Sequence, residues 1–211
     1  AKLVPYGAAA LAAFRAAVLT ALADLARRRP GVTAGRAHVT ISPATRPPRV
    51  NAGGLPIGLA SDAAYLGDDL VPAFLALLAV PPEVGRIADV DAWRIATLRA
   101  LVEAEDLAFV SVWSPTHLHD LVATLPGVAE EVARGVTPAA RRRLAAALAG
   151  DGVDTTRLWP RLDTVSAWAD AGSTAFASRL AALFPQARLE PNGLLATPSA
   201  QTQPRGDSPR G

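Results

Sequence analysis

Two short segments of the sequence place a tryptophan and a small polar residue directly after an apolar stretch. Residues 110–116 read VSVWSPT, and residues 165–173 read VSAWADAGS. Each stretch has the composition of a buried strand, and each is followed by a helical pattern. In a parallel sheet, ligands bind beyond the carboxyl ends of the strands, where helix N-termini offer free amides. Trp113, Ser114 and residues 168–173 are therefore predicted to line a pocket.

A second interpretation of these residues stays open. Ser114 and Ser173 also suit ordinary helix caps, with Pro115 at the first helical position. Trp113 and Trp168 would then belong to the core.

The three histidines and the arginine clusters give weaker signals. His117 and His119 lie two residues apart on a predicted helix, so their side chains point about 200° apart and cannot chelate one metal ion. We expect no metal site, and we assign no catalytic residue, because the chain lacks a GxSxG motif and has no cysteine. For residues 141–143, three consecutive arginines, a solvated helix face is favoured over phosphate binding. The Arg-Gly-Asp triplet at 205–207 is attributed to chance.

A glycine-rich segment, GGLPIG at residues 53–58, is predicted to make a tight turn or to line a ligand. It is not a Walker loop, because no Gly-Lys-Ser/Thr sequence follows it.

These residues require a scaffold of alternating helices and strands. Helical patterns cover residues 8–29, 70–78, 89–105, 114–125, 128–134, 138–149 and 173–184. Apolar or alternating segments that predict strands cover residues 37–42, 107–113, 162–168 and parts of 187–197. This order predicts an α/β fold with a largely parallel sheet flanked by helices. We expect residues 1–197 to form that folded part and residues 198–211, which are polar and rich in proline and glycine, to form a disordered tail.

The first helical pattern has an apolar residue at regular helical spacing. These residues are Leu11, Phe14, Val18, Leu22 and Leu25. The spacing predicts an amphipathic helix packed on the fold. Arg15 and Asp24 interrupt the apolar run, which disfavours both a signal peptide and a membrane span.

Composition restricts the partners. Half of the residues are hydrophobic and the formal charge is only +2, so the chain suits a buried core and offers little general attraction to nucleic acid or anionic lipid. We therefore expect no nucleic-acid or membrane partner. The absence of cysteine leaves the compartment open and demands no oxidising one, and we expect a cytoplasmic location. A nucleic-acid regulator would rest on the arginine clusters alone.

Several motifs occur together in a recognisable order. They are ISP at 41–43, GGLPIG followed by Asp62 and AYLG, SVWSPT, LWPRLDTVSAWAD, LFP at 183–185 and PNGLLAT. In this order they resemble bacterial members of the auxin-responsive promoter family, which is similar to the acyl acid-amido synthetases of the adenylate-forming superfamily. The resemblance runs from Lys2 to Thr197 and identifies the chain as the central part of an N-terminal domain in such an enzyme.

The resemblance implies a two-step ligase that uses ATP and magnesium. A carboxylic acid would attack the α-phosphate of ATP, giving an acyl-adenylate and pyrophosphate, and an amine or amino acid would then displace AMP to form an amide. Lys2 matches the lysine that ends the family's phosphate loop, while Asp170, Ala171 and Gly172 would lie near adenine. Thr197 would lie near phosphate, and Trp113 and Ser114 would bind the acyl group.

The sequence departs from the family pattern at Pro198. The family reads GLLATEG, whereas this chain reads GLLATPS, so the glutamate that would serve magnesium is replaced. We expect a truncated or frameshifted product that does not catalyse adenylation alone, and whether it is an enzyme stays open. The alternatives are a non-catalytic module that binds small acids or other proteins, and a vestigial product.

Overall fold

A computed structural model of the chain describes residues 7–40, 49–54, 56–57, 66–169, 173–191, 195–196 and 199–200. The helices are α1 (Ala8–Arg28), α2 (Val71–Leu77), α3 (Val90–Glu103), α4 (Pro115–Ala123), α5 (Ala129–Arg134), α6 (Pro138–Ala147), α7 (Thr155–Leu158) and α8 (Thr174–Leu183). The strands are β1 (Arg36–Val39), β2 (Arg49–Val50), β3 (Pro56–Ile57), β4 (Leu107–Ser111), β5 (Thr164–Ala167), β6 (Arg188–Pro191), β7 (Leu195–Ala196) and β8 (Ser199–Ala200).

The central sheet contains four strands in the order β1, β4, β5, β6, and every neighbouring pair is parallel. The strands follow one another across the sheet in chain order. Because crossovers between parallel strands are right-handed, the connecting helices are expected on one face. Their packing agrees, since α4 lies against α8 and α3 contacts α4, α5 and α6. The predicted α/β fold with a parallel sheet is thereby confirmed.

The strand register separates the two faces of the sheet. Side chains of paired residues in parallel strands point to the same side. His38, Val110 and Val165 lie in register, and both valines belong to the main apolar core beneath the helices. Ser166 and Glu190 lie in register on the opposite side.

Helix α1 reaches this opposite side through arginines at its C-terminal end. Arg28 Nη2 donates to Glu190 Oε1 over 2.7 Å, and Arg29 Nη2 donates to the main-chain oxygen of Asp163 over 3.0 Å. Near the other end of the helix, Arg15 pairs with Asp69 over 2.5 Å. These contacts join α1 to the body that carries the sheet.

The predicted packing of α1 is only partly correct. Leu25 is buried, whereas Leu11, Phe14 and Val18 are half-buried and Leu22 is exposed. Among the described residues, α1 is also the one helix long and apolar enough to cross a membrane by length and composition, and 6% of that apolar stretch is buried. The core helix of a soluble protein and a signal sequence meet the same criterion. The spacing of its apolar residues was therefore a poor guide to how much of α1 the fold covers.

Local side-chain signals mark the starts of three helices. Asp89 caps α3 by accepting a hydrogen bond from the Ala92 amide over 2.8 Å, and Thr137 caps α6 in the same way with the Ala140 amide over 3.3 Å. Pro115 occupies the first turn of α4, as predicted.

The start of β1 depends on a glycine. A Cβ on Gly35 would lie 1.8 Å from the main-chain oxygen of Asp106, so only glycine allows β1 to approach the start of β4 this closely.

The carboxyl-terminal segment is described only in part. Within the predicted tail, Ser199 and Ala200 pair with Leu195 and Ala196 in a two-stranded antiparallel ladder. Residues 201–211, including the Arg-Gly-Asp triplet, lie outside the described residues, so the predicted boundary at residue 197 stays a prediction.

Candidate functional site

The two tryptophans that follow β4 and β5 meet at the carboxyl ends of the strands. The Trp168 amide donates to the main-chain oxygen of Trp113 over 3.2 Å, and the two indole rings lie 5.7 Å apart at 60°. The Trp113 side chain is 45% exposed, so the interpretation as a core residue is wrong for this position. We call this surface, with the first turns of α4 and α8, the carboxyl edge.

Ser114 occupies the cap position of α4 but does not act as a cap. Its backbone is extended, and no hydrogen bond runs from the backbone of α4 to its side chain. Instead, Ser114 Oγ lies 2.6 Å from Thr116 Oγ1, with either hydroxyl able to donate. Both hydroxyls are thus held at the beginning of α4, which follows Trp113 in the chain.

A groove with a volume of about 160 Å³ lies between α4 and α8. Helix α4 contributes Thr116, His119 and Asp120, and α8 contributes Phe176 and Arg179. The Arg179 guanidinium carbon lies 5.8 Å from the centroid of the Phe176 ring, which itself is 42% exposed. No carboxylate of the described part of the chain forms an ion pair with Arg179. The groove therefore combines an aromatic surface with a cation that is available to an acid.

A second polar cluster lies beneath the carboxyl edge. It consists of His38 on β1, Trp93 and Thr97 one turn apart on α3, and His117 in the first turn of α4; we call it the buried cluster. The rings of Trp93 and His117 lie 5.7 Å apart. His38, Trp93 and Thr97 are each 4% exposed or less, and within the described residues His38 Nδ1, Trp93 Nε1 and Thr97 Oγ1 have no hydrogen-bond partner.

Burial keeps both histidines of this cluster neutral. It lowers the pKa of His38 to about 4, and the nearby His117 adds to the effect. Burial also lowers the pKa of His117, although the nearby carboxylate of Asp120 acts to raise it. Both imidazoles are therefore uncharged at neutral pH, and each carries one donor and one acceptor nitrogen.

The predicted nucleotide-binding residues cannot be placed in this geometry. Lys2, Asp170, Ala171, Gly172 and Thr197 all lie outside the described residues, so their assignment to ATP stays a prediction. Within the described ranges, no group of three or more histidines, cysteines or carboxylates could hold a metal ion.

Sequence reasoning missed the α8 side of the groove. Phe176 and Arg179 lie three residues apart, so they share one face of the helix that follows Trp168. If the helix after Trp168 had been placed next to α4 in the predicted parallel sheet, both side chains could have been expected to face α4. His38 was missed because one histidine in a four-residue strand carries no pattern of its own.

The three arginines at 141–143 differ in solvent exposure, which their sequence did not indicate. Arg141 and Arg142 are exposed, in agreement with the predicted solvated face, but the Arg143 side chain is only 12% exposed. It donates to the main-chain oxygens of Val102 and Leu158, so it acts as a structural arginine between helices.

Comparison with solved structures finds proteins of the same fold. The chain superposes on a structure titled GH3.15 acyl acid amido synthetase with a TM-score of 0.69 and 15% sequence identity, covering 93% of this chain and 39% of that one. It also superposes on AtGH3.15 acyl acid amido synthetase in complex with 2,4-DB, with a TM-score of 0.67 and 12% identity over 92% of this chain and 38% of that one. No protein-family model and no curated protein sequence matches the chain. At these identities the similarity is one of fold, and the chain spans about two fifths of the length of these neighbours.

Proposed function

We propose that this chain is part of an adenylate-forming ligase of the acyl acid-amido synthetase type, and that the carboxyl edge forms its acid-binding surface. The observation that carries the proposal is the superposition of nearly the whole chain on two structures with that title. The exposed Trp113 lies directly after β4, where an α/β sheet is expected to bind a ligand, and the groove with Arg179 lies between the two helices that follow β4 and β5, which supports the same assignment.

The acid would bind with its apolar part against aromatic side chains. Trp113 and Phe176 both present large ring surfaces to solvent, and aromatic rings give strong contacts with small apolar ligands. Arg179 would attract the carboxylate through its guanidinium. The hydroxyls of Ser114 and Thr116 would complete the polar side of the surface.

The rest of the proposed chemistry depends on residues outside the described part. ATP and magnesium would supply the adenylation step, with Lys2, Asp170, Ala171, Gly172 and Thr197 as the proposed nucleotide contacts. An amine or amino acid would accept the acyl group. The bacterial branch of the auxin-responsive promoter family and a cytoplasmic location belong to the same proposal.

The direct test is acid binding and acid-dependent exchange of labelled pyrophosphate into ATP, both measured on the purified chain. We expect small aromatic or fatty acids to bind in calorimetry, and Arg179→Gln to weaken that binding about tenfold. Arg142→Gln, which removes an exposed arginine outside the groove, is the matched control and should bind acid as the parent does. An affinity that is the same in both variants would contradict the acid-binding role of Arg179.

Exchange activity separates the ligase from a second candidate, a non-catalytic module that only binds small acids. The replacement of the family's glutamate by Pro198 favours binding without exchange by this chain. Acid-dependent exchange would refute that expectation and establish the ligase, whereas saturable binding without exchange supports the module.

A further inference from the structure

The groove between α4 and α8 carries opposite charges on its two walls. Asp120 lines it from α4, and Arg179 lines it from α8 together with the ring of Phe176. The guanidinium carbon of Arg179 lies 5.8 Å from the centroid of that ring. Because both charged side chains line one groove of about 160 Å³, a single small molecule bound there lies beside both of them.

Helical spacing brings these side chains to the same groove. Thr116, His119 and Asp120 are separated by three and four residues, so they share one face of α4. Phe176 and Arg179 share one face of α8 for the same reason, and the two helices pack against each other. The groove therefore has a negative charge on one wall and an aromatic ring beside a positive charge on the other.

The two charges do not neutralise each other. Within the described part of the chain, no ion pair joins Asp120 to Arg179 or to any other arginine. Asp120 Oδ1 lies 3.2 Å from Nδ1 of the neighbouring His119, and this contact is ionic only when the imidazole is protonated. Both charges are therefore left to act on a ligand in the groove.

We propose that Asp120 determines which acids the groove binds, favouring an acid that carries an ammonium group at the end remote from its carboxylate. This inference rests on the function proposed above, in which Arg179 attracts the carboxylate of the acid. The apolar part of the acid contacts Phe176, and the ammonium group pairs with Asp120. A second carboxylate at the same position is repelled by Asp120, so dicarboxylic acids are disfavoured.

The exposure of Asp120 sets the size of this selection. Its side chain is 77% exposed, and ion pairs between exposed groups are weak because water screens them. We expect the charge at the remote end of the acid to change the affinity by about threefold to fivefold in either direction.

Three benzoates with different groups opposite the carboxylate test the selection, because their shapes are similar and only the remote charge differs strongly. They are 4-(aminomethyl)benzoate, 4-methylbenzoate and terephthalate, whose remote groups are cationic, neutral and anionic at neutral pH. Calorimetry on the purified chain should rank their affinities in that order, with 4-(aminomethyl)benzoate binding most tightly.

Asp120→Asn is the decisive variant, since it removes the charge and keeps the size of the side chain. We expect it to leave the affinity for 4-methylbenzoate unchanged and to bring the other two affinities close to that value. Asp151→Asn, which changes an exposed aspartate outside the groove, is the matched control and should keep the original order. Arg179→Gln should weaken the binding of all three probes.

The outcomes separate this inference from the function on which it rests. If none of the probes binds to the parent chain, the proposed acid-binding function fails and the selection fails with it. If 4-methylbenzoate binds through Arg179 but Asp120→Asn keeps the original order of affinities, only the role of Asp120 is overturned. Phenylalanine carries its ammonium group next to its carboxylate. If it bound more tightly than 4-(aminomethyl)benzoate, the groove would be assigned to an amine acceptor, which would also overturn the inference.

Discussion

Two regions of this molecule differ in whether their buried polar groups are hydrogen-bonded. In the first, which we call the closed block, the C-terminal half of α3 packs against α6 and α7. Trp159 Nε1 donates to the Leu101 oxygen over 2.8 Å, and Arg143 donates to the oxygens of Val102 and Leu158. In the second region, at and beneath the carboxyl edge, His38, Trp93, Thr97 and Trp168 each have a buried side-chain atom without a hydrogen-bond partner among the described residues.

From this difference we expect the closed block to contribute mainly to stability and the carboxyl edge mainly to binding. Paired groups in the closed block hold the helices together, because leaving any of them without a partner costs free energy. Unpaired groups at and beneath the carboxyl edge lower the stability of the protein. The same region exposes Trp113 and Phe176. We therefore expect substitutions in the block to affect unfolding and substitutions at the edge to affect binding.

Trp159→Ala should produce the largest effect on stability. The Trp159 side chain is 1% exposed, packs 6.0 Å from the ring of Phe184, and donates to the end of α3. Its removal should lower the free energy of unfolding by about 3–5 kcal/mol. Urea denaturation followed by circular dichroism measures this value. A loss no larger than that of Trp113→Ala would break the proposed difference between the regions.

Acidification should destabilise the protein through His38. The folded pKa of His38 is lowered to about 4, so the unfolded chain binds the proton first as the pH falls below 6.5. The stabilisation is therefore complete above about pH 6.5 and is lost progressively toward pH 4, by about 3 kcal/mol in total. Burial lowers the pKa of His117 in the same direction.

His38→Leu tests the origin of that pH dependence. Unfolding curves between pH 4.5 and 7 should flatten in this variant, because the unfolded chain no longer gains a proton at position 38. Glu103, whose pKa lies below its usual value of 4.5, titrates mainly beneath this window. An unchanged slope in His38→Leu would assign the acid sensitivity to another group.

Arg143→Met should have a smaller effect within the closed block. The variant keeps much of the aliphatic chain but leaves the oxygens of Val102 and Leu158 without their donor. We expect a loss of about 2 kcal/mol in the free energy of unfolding, most of it from these oxygens, since the partner carboxylate of Glu105 is 64% exposed. Arg142→Met on the exposed face should change it by less than about 0.5 kcal/mol. Equal losses would show that the neighbouring arginines are equivalent.

The fold could be predicted because its signals are local. Asp89 and Pro115 mark helix starts through their own chemistry, and the continuous apolar run at 107–111 is typical of a strand covered on both faces. The end of β4 then placed Trp113 beside Trp168 by topology alone.

The buried cluster and the exposure of α1 could not be predicted because they depend on distant residues. His38 comes close enough to His117 for the two imidazoles to interact electrostatically only after β1 pairs with β4, and these strands are far apart in the chain. Leu22 has the right spacing for a packed face, yet it is 39% exposed, because its burial depends on what lies beside the helix. Arg143 differs from Arg142 only through the helices packed around it.

Trp113→Ala tests whether the carboxyl edge contributes to binding more than to stability. With 45% of its side chain exposed, Trp113 contributes little to folding, and we expect its loss to change the free energy of unfolding by less than about 1 kcal/mol. Acid affinity should nevertheless fall about tenfold, because the ring supplies apolar contact area for the ligand. Trp113→Phe keeps an aromatic ring and should retain most of the affinity, as measured by calorimetry with a small aromatic acid. If Trp113→Ala lost stability and kept its affinity, the edge would belong with the closed block, as a part of the scaffold.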